Sequence, residues 1–111
     1  MNSRLDAFNL NRCTSLDISE ILYIKAAGRY TEVITAAKRY LICKHLKQIE
    51  SELVIFPVFL RCHQSFLVNT EWIEQVRGTI IKLKCGKELT ISRRKKKLFL
   101  DILDSTRSEI E

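Results

Sequence analysis

Within five positions, Arg61 to Ser65, the chain sets a guanidinium, a thiol, an imidazole, an amide and a hydroxyl side by side, as RCHQS, before the apolar run FLVN. Such a set can hold a metal, attack as a thiolate, or hydrogen-bond to another molecule. For a metal, Cys43 and His45 could join Cys62 and His63. Structural zinc takes its ligands in pairs spaced by about two to four residues on tight turns, and neither pair has that spacing. Adjacent residues on a strand also point to opposite faces. No metal and no other cofactor is expected. A catalytic thiol needs a base within reach and a setting that lowers its pKa. Immediate neighbours rarely face each other that way, and the rest of the chain has no P-loop, no dinucleotide fingerprint and no suggestive carboxylate pair. An enzyme is not expected. What remains is recognition, since His, Gln, Ser and Arg all hydrogen-bond base edges or phosphates and Gln is suited to adenine. A capped turn, with His63 or Ser65 satisfying local backbone, accounts for the same residues, and the two readings are compatible.

A second concentration of chemistry is positive charge. The formal net charge is +6 and the pI about 9.3, a balance that favours polyanionic partners. Lys82, Lys84, Lys87 and the unbroken run Arg93, Arg94, Lys95, Lys96, Lys97 fall within sixteen positions, and acids follow at Asp101, Asp104, Glu109 and Glu111. If Ser92 caps a helix here, the cations occupy its first turn, where a capping box would want Glu or Gln in place of Lys95. The helix dipole favours the reverse order by ~0.3–1 kcal/mol per charge. A solvated lysine cluster is one account of such a run. A site for phosphate oxygens also explains the reversed order, and it is the account preferred.

The elements that must hold these residues are short. ILYIKAA and YTEVITA read as strands around a turn at Gly28-Arg29, and a second turn near Ala37-Lys38 leads into RYLICK. Leu46, Ile49 and Leu53 sit at helical spacing, giving a short helix over roughly 45–53 that ends before Pro57. FLVN, WIEQV, a turn at Arg77-Gly78, and a hairpin of TIIKLKC and KELTIS follow. Alternation puts Lys82 and Lys84 on one face of that hairpin. In RRKKKLFLDIL, Leu98, Phe99, Ile102 and Leu103 mark the apolar stripe of a second short helix. Connections this short exclude βαβ crossovers, so the fold class is mainly β, with small antiparallel sheets and two short helices.

A chain of 111 residues fits one domain. The expected layout is an N-terminal linker or tail at 1–13, a domain at 14–104 and a C-terminal tail at 105–111. No apolar run approaches the roughly 18 residues that span a bilayer, and MNSRLDAFNLNRC lacks the order of a secretory signal. The expected location is cytoplasmic, away from membranes, with the four cysteines as free thiols.

In its order of elements the sequence resembles a LytTR-type DNA-binding domain, the output module of many bacterial response regulators. The resemblance runs from about Leu16 to Leu103. It rests on ILYIKAAGRYTEV, KHLKQIESEL, FLRCHQSFLVNTEWI and KELTISRR, and above all on the pattern F-x-R-x-H-x-S-x-x-V-N, met by Phe59, Arg61, His63, Ser65, Val68 and Asn69. The resemblance implies small, mainly antiparallel sheets whose loops enter successive major grooves. Three loops would do so: Gly28 to Thr31, His63-Gln64-Ser65, and Ser92-Arg93-Arg94 with the lysines behind it.

On that basis Arg29, Thr31, Gln64 and Arg94 are expected to contact bases. Arg61, Ser65, Arg93, Lys95, Lys96 and Lys97 are expected to contact phosphates, with Tyr30, His63 and Ser92 in support and His63 read as structural. The resemblance further implies a transcriptional regulator of the two-component type, a monomer when free and paired head to tail on direct repeats in double-stranded DNA. An N-terminal receiver domain is the implied partner if the chain is excised from a longer one. A β-rich module for RNA or single strands is the alternative from another class, and it should show aromatics for stacking. A basic domain that meets an acidic protein is a third. A thiol switch at Cys62 is a further possibility, because Arg61 beside it can lower a thiol pKa.

Overall fold

The computed structural model describes residues 7–9 and 15–110, with side chains from 17 to 104. These residues form strands β1 (Ala7–Asn9), β2 (Ser15–Asp17), β3 (Ile21–Ala27), β4 (Tyr30–Thr35) and β5 (Arg39–Ile42), then helix α1 (Leu46–Glu52). Strands β6 (Phe59–His63), β7 (Phe66–Asn69), β8 (Ile73–Arg77), β9 (Ile80–Leu83) and β10 (Glu88–Thr90) follow, and helix α2 (Arg93–Ile110) ends the series. Every strand pairing among them is antiparallel: a two-stranded β1-β2 ribbon, a five-stranded sheet in the order β5-β4-β3-β7-β6, and a three-stranded sheet in the order β10-β9-β8. The fold is mainly β with two helices, as the sequence indicates.

The five-stranded sheet separates two cores. On one face Ile21, Ile24, Val33, Ile42, Phe59 and Leu67 meet Leu46 and Ile49 of α1 and Leu53 just past its end. On the other, Leu22, Tyr23, Cys62 and Val68 meet the three-stranded sheet and Phe99 and Leu103 of α2. Neighbours in one strand serve opposite cores, as the two-residue period requires. The run ILYI escapes that period through a bulge between Ile21 and Tyr23, which turns Leu22 and Tyr23 to the same side and buries all four residues. At Gly28 the backbone has φ 66°, which a glycine adopts without strain, so the two-residue Gly28-Arg29 turn closes the β3-β4 hairpin.

Several sequence expectations change. β1 and β2 precede Ile21, where the strands were expected to begin, and β1 falls inside the expected tail at 1–13. Three residues are too few to display alternation. Helix α2 is long rather than short and continues past the expected boundary at 104, since no glycine or proline follows Gly86. Of its apolar stripe, Phe99 and Leu103 are buried, each contributing about 1.5–3 kcal/mol, while Leu98 and Ile102 are 64% and 37% exposed. Lys84 lies beyond the end of β9, in the turn to β10, so it does not share a strand face with Lys82.

Candidate nucleic-acid interface

Two backbone hydrogen bonds gather the three suspected loops at one end of the five-stranded sheet. β3 ends at the Gly28-Arg29 turn beside the start of β7, and the Ala26 N–H donates to the Ser65 carbonyl at 2.9 Å. That joins the first loop to the second. The Ser92 N–H donates to the Cys62 carbonyl at 2.8 Å, and this joins the third loop to the strand that leads into the second.

The 61–65 turn is held from several sides. A bulge at Cys62, between Arg61 and His63, interrupts the β6-β7 ladder before its closing His63–Phe66 pair, and Gln64 lies in the turn beyond it. Arg61 holds this end of the hairpin. Its Nε donates to the His63 carbonyl at 2.9 Å, its Nη2 to the Gln64 carbonyl at 2.7 Å, and its Nη1 to a carboxylate oxygen of Glu50 on α1. His63 Nδ1 accepts the Ser65 N–H at 3.0 Å, which leaves the proton of the neutral ring on Nε2. The ring lies 5.5 Å from that of Phe66. Bonded in this way, the turn leaves the Gln64 side chain exposed.

Cys62, next to His63, is fully buried, and its thiol lies 3.9 Å from the Phe66 carbonyl. Burial pushes that thiol up to about 12, outweighing the backbone and Arg61, which pull the other way. The bulge breaks the alternation expected to separate Cys62 from His63. What separates them is burial and different hydrogen-bond partners. Among the described residues no three His, Cys, Asp or Glu side chains come together as a metal site would need.

The third loop differs. Ser92 caps α2 as expected, its Oγ accepting the Lys95 N–H at 3.3 Å. Arg93, Arg94 and Lys97 are exposed, and Lys95 and Lys96 are half-buried. The ion pairs among the described residues are Lys44–Glu52 and Arg61–Glu50, so none of these five cations is neutralised by one. In the first loop Arg29 is exposed and Tyr30 is 42% exposed. Thr31 is not available there. It is completely buried and its hydroxyl donates to the Lys44 carbonyl at 2.6 Å, because β4 turns Thr31 inward together with Val33. Arg61 also departs from expectation, since each of its three guanidinium nitrogens donates within the protein rather than being held out for phosphate.

Two residues outside the expected set support the turns. Asn69 is fully buried; its Nδ2 donates to the Ile21 carbonyl at 2.8 Å and the Ile18 carbonyl at 3.3 Å, while its Oδ1 accepts the Glu71 N–H at 3.0 Å. It ties β7 to the entry of β3. Glu50 is the other. An asparagine amid apolar residues signalled the first; nothing in the spacing signalled the second.

Comparisons with known proteins bear on the family and the fold. A family model described as the LytTr DNA-binding domain matches residues 11–104. Among solved structures, the LytTr DNA-binding domain of a response regulator from Bacillus cereus is similar in fold, with a TM-score of 0.75 at 21% identity, over 88% of this chain and 96% of that one. A comparison with individually curated protein sequences gives no match. No described helix is long and apolar enough to cross a membrane. With the family pattern met over most of its length and the fold in agreement, the chain belongs to the LytTr DNA-binding domain family.

Proposed function

We propose that this domain binds double-stranded DNA sequence-specifically as a bacterial transcriptional regulator in the cytoplasm, reading major grooves with its three gathered loops. Arg29, Gln64 and Arg94 make base contacts, with Tyr30 beside them. Arg93, Lys95, Lys96 and Lys97 bind phosphates, and Ser65 and Ser92 shape the loops that carry them. His63 acts as a brace for the turn. The observation that carries this reading is the junction of loops: hydrogen bonds from Ala26 to Ser65 and from Ser92 to Cys62 put a braced turn beside a run of cations that form no ion pair among the described residues. A single-strand binder would want stacking platforms. Tyr23 is buried, Tyr40 is half-buried with Lys38 over its ring, and half-buried Trp72 donates its indole N–H to the Ser19 carbonyl, so among the described tyrosines and tryptophan Tyr30 alone stands exposed.

The domain is a monomer when free and occupies direct repeats as two copies, head to tail. A receiver domain would supply its input in a longer chain. Selection of bound duplexes from a random pool at physiological salt tests the proposal. Enrichment of a short motif, as two direct repeats at fixed spacing, is the expected result. An unenriched pool would reduce the interaction to charge and overturn sequence reading.

A further inference from the structure

We propose that Glu50 on α1 is a positioning residue for the reading turn, acting through Arg61 on the direction in which Gln64 is presented. The inference rests on the DNA-reading proposal above. It starts from the guanidinium, whose nitrogens form a planar fork with fixed directions. Three of them meet three acceptors from two parts of the fold: the consecutive His63 and Gln64 carbonyls of the turn and the Glu50 carboxylate of α1. The first carbonyl belongs to the hairpin's closing residue, just past the bulge at Cys62 and paired with Phe66, and the second lies in the turn itself, outside the ladder. Two hydrogen bonds from a mobile side chain would fix them only as well as the side chain itself is fixed.

Glu50 supplies that third point. It follows Ile49, which is completely buried, on a helix whose Leu46, and Leu53 at its C-terminal cap, also enter the core. The carboxylate therefore projects from a rigid element on the α1 face of the sheet, and Arg61 connects that face to the turn. A carboxylate near a polyanion is electrostatically adverse, so charge and positioning make opposite predictions. Removing Glu50 raises the net charge by one and should tighten binding to every duplex if charge alone matters. If Glu50 positions the turn, binding to the selected duplex should weaken while binding to unrelated duplexes does not.

The experiment measures dissociation constants over a salt series for the selected duplex and an unrelated duplex, using Glu50→Gln, Glu50→Ala, Arg61→Ala and the double variant with Ala at both sites. Glu50→Gln and Glu50→Ala should weaken the selected duplex about tenfold, the scale on which groups in one network couple. They should leave the unrelated duplex unchanged or slightly tighter. With Arg61 already replaced, Glu50→Ala should change the selected duplex by no more than about twofold, because its effect passes through Arg61. Equal shifts on both duplexes, or a full Glu50 effect without Arg61, would overturn the proposal. Amide exchange at Gln64 and Ser65 reads the clamp without DNA, and it should quicken in Glu50→Gln. If no duplex is selected yet exchange quickens, the DNA-reading proposal fails and the clamp stands. If a duplex is selected and the Glu50 variants match the parent in both binding and exchange, the positioning role fails alone.

Discussion

Two regions meet at one end of the five-stranded sheet, and they are held in opposite ways. The 61–65 turn is fixed by Arg61 to His63, Gln64 and Glu50, by His63 to Ser65, and by Ala26 to Ser65. The start of α2 is fixed only in its backbone, by Ser92, and its five cations take part in no ion pair among the described residues. On the proposed reading the difference suits two tasks, base discrimination and phosphate attraction, with Arg94 the one base reader set in the looser region. Discrimination between bases needs a donor and acceptor held at one angle, because a misdirected amide reads nothing. Attraction to phosphate needs charge near the backbone and tolerates a range of directions. A chain that does both can keep its rigid and its loose parts adjacent.

The largest effect that would break this contrast comes from Arg61→Ala. It removes donors from two carbonyls and a partner from Glu50, and charge-assisted hydrogen bonds contribute about 1.5–3 kcal/mol each before exposure weakens them. We expect a stability loss of roughly 2–3 kcal/mol in denaturant titration, since the turn is partly open to solvent. Among molecules that remain folded, preference for the selected duplex should collapse toward that for unrelated DNA. If stability falls while the preference survives, the clamp is structural only and the turn does not discriminate.

Next come paired substitutions within the loose region. Arg94→Ala should cost ~1–3 kcal/mol on the selected duplex and relax preference at one base-pair position. Lys96→Ala should weaken every duplex alike and reduce the salt slope by about one. Binding isotherms over a salt series, repeated on single-base variants of the selected site, separate the two. Identical behaviour of both variants on all duplexes would merge Arg94 with the phosphate group and leave Gln64 and Arg29 as the readers.

How much of this was legible in the sequence depends on whether the relevant partners were local. Alternation and turn residues gave the hairpins, and Ser92 announced a helix start that the structure confirms as a cap. The same alternation could have corrected Thr31, which shares a strand face with Val33 two residues on; both are completely buried. That signal was present and was outweighed by the position of Thr31 beside a turn. The link between Arg61 and Glu50 carried no such signal. Eleven positions separate them, and only the packing of α1 on the sheet brings them together. The six named positions of F-x-R-x-H-x-S-x-x-V-N divide along the same line. Phe59 and Val68 fill the two cores and Asn69 ties strands, while Arg61, His63 and Ser65 brace the turn. The residue proposed to read, Gln64, occupies one of the unspecified positions. A scaffold pattern can thus be recognised without knowing which sequence it reads.

The smallest expected effect concerns the thiol between the two regions. Cys62 is buried and its pKa is pushed up to about 12 by that burial, whereas Cys43 and Cys85 are exposed. A thiol is attacked and oxidised as its thiolate, so at neutral pH Cys62 should resist both a neutral alkylating agent and mild oxidant. Mass spectrometry of the native protein should find label on Cys43 and Cys85 well before Cys62, and binding to the selected duplex should be unchanged by the oxidant. Alkaline pH offers a second check. Because the folded pKa lies above the ordinary thiol value near 9, the unfolded chain loses this proton first, so the contribution of Cys62 to stability is complete below that value and declines as pH rises toward about 12. Cys62→Ala should flatten that decline. Oxidation of Cys62 ahead of the exposed thiols, with loss of DNA binding, would show that the core beside the turn opens readily, and the contrast between a rigid turn and a loose helix start would no longer hold.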